Sequence, residues 1–72
     1  MEEITQPGIY KHYKGNLYQV IDTATHSETM EKLVLYRPLY GEGKFWVRPE
    51  KMFNEEVMVD GKKIKRFEWV EM

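Results

Sequence analysis

A chain of 72 residues holds one small domain and leaves no room for a second core. It has no cysteine, which excludes disulfide staples, cysteine-based zinc sites and dithiol redox chemistry. Eleven basic and twelve acidic residues leave a net charge of −1, too close to balance for a strong field directed at a phosphate backbone.

Residues 1–7 carry little pattern and are expected to fray, with the domain running over 8–72. The acidic start Met1-Glu2-Glu3 is unlike a secretory leader, and no apolar run reaches the roughly 18 residues of a membrane span. A soluble cytoplasmic protein is the expectation. After Pro7-Gly8, Ile9-Tyr10-Lys11-His12-Tyr13 alternates as a strand, with Ile9 and Tyr13 on one face and Tyr10 and His12 on the other. Lys14-Gly15-Asn16 signals a turn into a second strand, Leu17-Tyr18-Gln19-Val20-Ile21, joined to the first as a hairpin. Both of its faces are partly apolar, Leu17 with Ile21 and Tyr18 with Val20, which suits a strand covered on both sides for part of its length.

Thr25 to Glu31, THSETME, is the most polar interior stretch and is expected to be a loop. Thr25-x-x-Glu28 matches a capping box, so a short helical turn fits there, but no apolar period follows to extend it. The stretch from Lys32 to Phe53 organises the rest. Its apolar runs Leu33-Val34-Leu35-Tyr36 and Phe45-Trp46-Val47, separated by Gly41-Glu42-Gly43, read as strand, connection and strand. Pro38 places a bulge or an edge in the first arm, because proline cannot donate to the ladder. Arg48-Pro49 turns the chain into one short turn over Glu50-Lys51-Met52-Phe53. A last hairpin joins Glu56–Val59 to Lys63–Phe67 at Asp60-Gly61, since a DG pair between alternating segments favours a tight hairpin. A final strand or tail follows. Five or six short antiparallel strands with tight turns and no helix predict an all-β fold closed as a small barrel. Its interior is expected to hold Val20, Val34, Tyr36, Val47 and Phe53, with Val57 closing it.

Few residues carry chemistry. His26-Ser27-Glu28 has the residue types of nucleophilic catalysis, but three consecutive residues cannot converge as nucleophile, base and orienter. No catalytic residue is assigned and no enzymatic activity is expected. His12, His26 and Glu28 match no metal-ligand spacing, so no metal and no cofactor is expected either. The aromatic content is more informative. Five Tyr, three Phe and two Trp exceed what a barrel of short strands encloses, so some rings must lie at the surface.

Tyr10 with His12, and Trp46 with Arg48, are same-face pairs on regular strands. The candidate binding surface is therefore Trp46 and Arg48 with Tyr10, His12 and Tyr40, and His26, Ser27 and Glu28 of the 25–31 loop at its rim. The structural alternative has Trp46 covering the barrel, with Arg48 bridging a carboxylate such as Glu50. Lys62-Lys63-Lys65-Arg66 carries the charge to contact phosphate, but set among Glu55, Glu56, Asp60 and Glu68 it reads better as a solvated edge strand protected by lysines. A protein or peptide is the expected partner. A nucleic acid stacking its bases on the exposed rings is the alternative.

The segments Gly8-x-Tyr10-x-His12-Tyr13-Lys14-Gly15, His26-Ser27-Glu28-Thr29, Leu39-Tyr40-Gly41 and Trp46-Val47-Arg48-Pro49-x-x-Met52-Phe53 together resemble a bacterial family, the domains of unknown function numbered 1653. The resemblance covers Pro7 to Phe67, with the four motifs in the family's order. It implies a small SH3-like barrel and a bacterial source, and it carries no activity with it. The Pro49-to-Phe53 turn is also similar to the short helical turn before the last strand of SH3-type barrels, a likeness of topology alone.

Overall fold

A computed structural model of the chain describes residues 5–71. Strand β1 (Gly8–His12) turns into β2 (Leu17–Thr25) through the predicted Lys14-Gly15-Asn16 segment. The His12 N–H donates to the Asn16 carbonyl at 2.8 Å, and the Gly15 N–H to the His12 carbonyl at 2.7 Å. β3 (Lys32–Pro38) and β4 (Trp46–Pro49) follow, and Pro49 leads into a single helical turn, α1 (Glu50–Phe53). β5 (Glu56–Val59) and β6 (Lys62–Lys65) form a two-stranded ribbon. Asp60 and Gly61 between them both take positive φ, 51° and 76°, as a type I′ turn requires. β7 (Phe67–Glu71) then returns to the other side of β1.

Over the described residues the result is all-β with almost no helix, as expected, but it has seven strands and the sheet is not closed. One antiparallel sheet runs in the order β4-β3-β2-β1-β7, with β4 and β7 at opposite edges. β5 and β6 pair with each other as the expected hairpin, but this ribbon joins neither edge of the larger sheet and so does not close it.

Residues paired across antiparallel strands share a face, and this settles which side chains point inward. Tyr10 lies opposite Tyr18, Val20 opposite Tyr36, and His12 opposite Phe67. A register shift between Val20 and Asp22 marks a β-bulge beside Ile21. Tyr18 and Val20 point inward and are buried, while Leu17 is exposed, which resolves the two-faced pattern of this strand. Pro38 ends β3. The Leu39 N–H donates to the Leu17 carbonyl at 3.0 Å, so the Pro38 nitrogen faces the other side, past Tyr36, the last β3 residue paired with β4. The missing donor therefore leaves no gap in either ladder.

The core keeps four of the expected residues, Val20, Val34, Tyr36 and Phe53, and adds Tyr10, Tyr18 and Phe67. Val47 does not belong to it. It pairs with Leu35 on the outer face and is 59% exposed, while its neighbours Trp46 and Arg48 pair with Tyr36 and Val34 and face inward. The expected register of β4 was thus off by one residue, and in a strand one residue inverts the face. Val57 is only half-buried, on the ribbon opposite Ile64.

α1 delivers Phe53, which stacks flat on Phe67 with centroids 4.1 Å apart and planes 3° from parallel. Tyr10 and Tyr36 meet Phe53 edge-on at 5.3 and 5.4 Å, an arrangement that adds to simple area burial. Within the segment expected to fray, Thr5 is buried against this turn. It donates its N–H to Glu50 Oε2 at 3.3 Å and accepts from Asn54 Nδ2 at 2.9 Å. Residues 1–4 of that segment, and Met72 of the expected domain, lie outside the described residues. Gly8 is needed where it stands. Its φ is 148°, and a Cβ there would sit 2.7 Å from both the Glu71 carbonyl oxygen and the Trp69 ring.

Candidate functional site

The inward parity of β4 places Trp46 and Arg48 beside rings from β2, β3 and β7. Tyr18 is the hub. Its ring centroid lies 5.8 Å from Tyr36, 5.9 Å from Tyr40, 6.3 Å from Trp46, 5.4 Å from Phe67 and 6.1 Å from the His12 imidazole. The Tyr18 and Tyr40 hydroxyls share a hydrogen bond of 3.1 Å, and Trp46 meets Tyr36 edge-on at 6.0 Å. Tyr18 is buried, whereas Tyr40 and Trp46 are 48% and 45% exposed. Two half-exposed rings held from beneath by a buried one make an open aromatic floor.

Arg48 completes one side of the floor. Its Nε donates to the Tyr36 hydroxyl at 3.2 Å, and its guanidinium lies 5.9 Å from the Phe67 centroid. The Glu50 carboxylate, named in the structural alternative as a partner for Arg48, instead accepts the Thr5 N–H. His12 forms the other side, 4.6 Å from the Tyr13 ring and 4.9 Å from Phe67. Its Nδ1 accepts the Lys14 N–H at 3.1 Å, so the neutral ring carries its proton on Nε2. Burial lowers the pKa of His12 below 6.5, and the nearby charges of Arg66, Lys14 and Arg48 lower it further. Burial, then the Tyr40 hydroxyl, pushes the Tyr18 phenol up to about 12. Both groups are therefore uncharged at neutral pH.

Of the residues expected at the binding surface, the structure brings together His12, Tyr40, Trp46 and Arg48. Tyr10 is elsewhere: it is 7% exposed, edge-on to Phe53 and Trp69, with its hydroxyl donating to the Gln6 carbonyl at 2.8 Å. Burial raises its phenol pKa, with the Gln6 hydrogen bond opposing. It is a core residue.

His26, Ser27 and Glu28 sit at the tip joining β2 to β3, separated from the His12 end by the length of β2, on the order of 25 Å. There His26 Nδ1 accepts the Glu28 and Thr29 N–H groups at 3.1 and 3.3 Å and so holds its own turn. His12 and His26 cannot meet around one ion. A separate cleft of about 890 Å³ lies beside Met30, Lys32, Glu50, Lys51 and Glu56 and shares no residue with the floor. Sequence reasoning missed Tyr18, Tyr36 and Phe67 as supports of the floor. The alternation of Phe67 with Trp69 was the available signal for β7.

The lysines of the ribbon, Lys62, Lys63 and Lys65, are exposed, with Lys65 opposite Glu56. Arg66 leaves that ribbon half-buried. Its Nη2 lies 3.6 Å from Glu55 Oε1, and its buried Nε has no hydrogen-bond partner among the described residues. Among the described residues no helix is long and apolar enough to cross a membrane.

Compared with known proteins, residues 8–69 match the family model described as "Protein of unknown function (DUF1653)". The crystal structure of a protein belonging to DUF1653 from Bordetella bronchiseptica superposes with a TM-score of 0.84 at 33% sequence identity, over 93% of this chain and 88% of that one. No curated protein matches.

Proposed function

The chain belongs to DUF1653, a family of unknown function, and on that footing we propose that it is a non-catalytic module that binds an extended protein segment on its aromatic floor. The observation that carries this reading is the pairing of Tyr40 and Trp46, each about half exposed, over the buried Tyr18. Rings already fixed from below lose little freedom when a partner covers them, and extended or proline-rich segments dock on such rings. Trp, Tyr and Arg are also the residues that most often dominate interface energies. An SH3-like arrangement is part of the proposal, supported by the Pro49-to-Phe53 turn that follows β4. So is the cytoplasm of a bacterium, supported by the lack of cysteine and by the source of the related structure.

The alternative is a single-stranded nucleic acid whose bases stack on the same rings, favoured by the three cations near His12. Peptide display against the whole protein, counter-screened with a Tyr40→Ala/Trp46→Ala double variant, tests the first reading. Selected peptides should bind the parent and lose about tenfold or more with the double variant, the loss expected when central aromatic anchors are truncated. The variant should remain cooperatively folded, with a lowered melting temperature because the bond to the Tyr18 hydroxyl is lost with the two half-buried rings. Undiminished binding by the double variant would overturn the proposal. A steep loss of affinity with added salt, together with a preference for single-stranded DNA, would favour the nucleic-acid reading.

A further inference from the structure

Three cations from three separate elements converge on the His12 side of the floor. Lys14 comes from the β1–β2 turn, with its Nζ 5.9 Å from the Tyr13 ring that packs on His12. Arg48 comes from β4, over Phe67, the ring that His12 meets edge-on. Arg66 comes from the junction of β6 and β7, where its carbonyl accepts the Tyr13 N–H at 2.9 Å. Among the described residues one carboxylate answers them, Glu55, which is half exposed and 3.6 Å from Arg66. Arg66 Nε is buried and without an acceptor, and the guanidinium of Arg48 spends its Nε on a neutral phenol. An oxyanion is the group that best answers guanidinium charges left with so little carboxylate around them. Burial lowers the pKa of His12, and the same three charges lower it further, which places all three within electrostatic reach of its ring.

We propose that this cluster is an anion subsite: the segment bound on the floor carries an aspartate or glutamate whose carboxylate is taken by Arg48, Arg66 and Lys14, while a neighbouring apolar side chain rests on Tyr40 and Trp46. The proposal rests on the reading of the floor as a peptide site and adds the chemistry of what it selects. Along β4, Arg48 and Trp46 are two residues apart on one face, about 7 Å, the same spacing as alternate side chains of an extended ligand. An extended peptide therefore presents an acidic and an apolar side chain to the two subsites in register. A carboxylate bound beside His12 raises the pKa of the imidazole, which makes the ring a built-in reporter.

The test uses the whole protein and two blocked octapeptides that share a Leu-Trp pair, one flanked by three acidic residues and the other by their amide isosteres. Indole and imidazole resonances of Trp46 and His12 are followed by NMR, with sodium acetate titrated separately. The acidic peptide is expected to shift both resonances, to raise the His12 pKa, and to bind about tenfold more tightly than its isostere, as a charge-assisted hydrogen bond would give. Lys14→Gln, at an exposed position, should shrink that preference, and Glu55→Gln, which frees Arg66, should enlarge it. Equal shifts at Trp46 by both peptides, with no rise in the His12 pKa from peptide or acetate, would overturn the anion subsite and leave the peptide-binding reading standing. Silence of Trp46 towards both peptides, with no response to acetate, would count against both. Tighter binding of a short oligothymidylate than of the acidic peptide would replace the carboxylate with a nucleic-acid phosphate.

Discussion

Two groups of rings share the inner face of the sheet, and they are finished differently. Around Phe53 and Phe67 the packing is closed: α1 presses Phe53 flat onto Phe67, and these rings are 0% and 4% exposed. Around Tyr18 the packing is closed below and open above, with Tyr40 and Trp46 left half in solvent. Each group combines strand-borne rings, Phe67 in one and Tyr18 and Trp46 in the other, with one ring from outside the strands, Phe53 on α1 and Tyr40 after β3. What separates them is one helical turn, which covers the first group and does not reach the second. The same side chains hold the fold together where they are covered and offer a contact surface where they are not.

The sharpest way to break this contrast is to truncate one ring from each group. Phe53→Ala should cost on the order of 3–5 kcal/mol, the usual range for a large aromatic in a core. A domain of this size holds little more than that in total. The variant should be largely unfolded in far-UV circular dichroism at room temperature, while Trp46→Ala should keep a cooperative urea transition near the parent's. A Phe53→Ala midpoint close to the parent's would erase the distinction.

A smaller effect should follow at the boundary between the groups. Tyr18→Phe removes the hydroxyl shared with Tyr40 and should cost about 1 kcal/mol, the net worth of one hydrogen bond. The raised phenol pKa gives this bond a pH signature. Unfolded tyrosine loses its proton near 10, but folded Tyr18 holds it until about 12. Its contribution is therefore complete below pH 10 and falls away as pH climbs towards 12, and Tyr10 acts in the same direction. Urea midpoints at about pH 9 and 11 should show a loss that is shallower in Tyr18→Phe.

His12 has the opposite dependence. Its folded pKa lies below 6.5, so protonation favours the unfolded chain, and its contribution is complete above pH 6.5 and declines as pH falls below it. Melting temperatures at about pH 7.5 and 5.5 should differ less in His12→Gln than in the parent. The smallest effect belongs to Val47→Thr on the outer face, which should change stability by no more than about 0.5 kcal/mol, as surface substitutions usually do. A larger loss by urea titration would mean that the outer face of β4 is covered.

Turn chemistry was the most legible part of the sequence. Lys14-Gly15-Asn16, Asp60-Gly61 and the Pro49 turn each act within a few residues, so the local pattern contains their cause. Four core residues were legible for the same reason: Val20, Val34, Tyr36 and Phe53 sit in runs whose burial has few alternatives. Long-range pairing was not. Tyr10 is buried because β7 crosses β1 and brings Trp69 beside it, and nothing near Tyr10 in the chain announces that strand. Val47 and Trp46 were exchanged because an apolar run of three residues gives no parity, and register with β3 decides it. Half of the expected surface, His12, Tyr40, Trp46 and Arg48, came together, since the surplus of rings was countable. His26, Ser27 and Glu28 did not, because loop polarity says that a segment is at the surface and not which surface.

The position of β1 sets the order in which the molecule can assemble. One side of this strand is satisfied by a local hairpin with β2, and the other waits for β7, from the opposite end of the sequence. Closing so long a loop is entropically slow, and Phe67, the partner on which Phe53 stacks, arrives with the same strand. The β2–β3 and β1–β2 hairpins can form early, but the stacked pair is completed only by the last step. The amides of β1 that face β7 should accordingly gain protection from hydrogen exchange later than those that face β2, and in the same kinetic phase that buries Phe53.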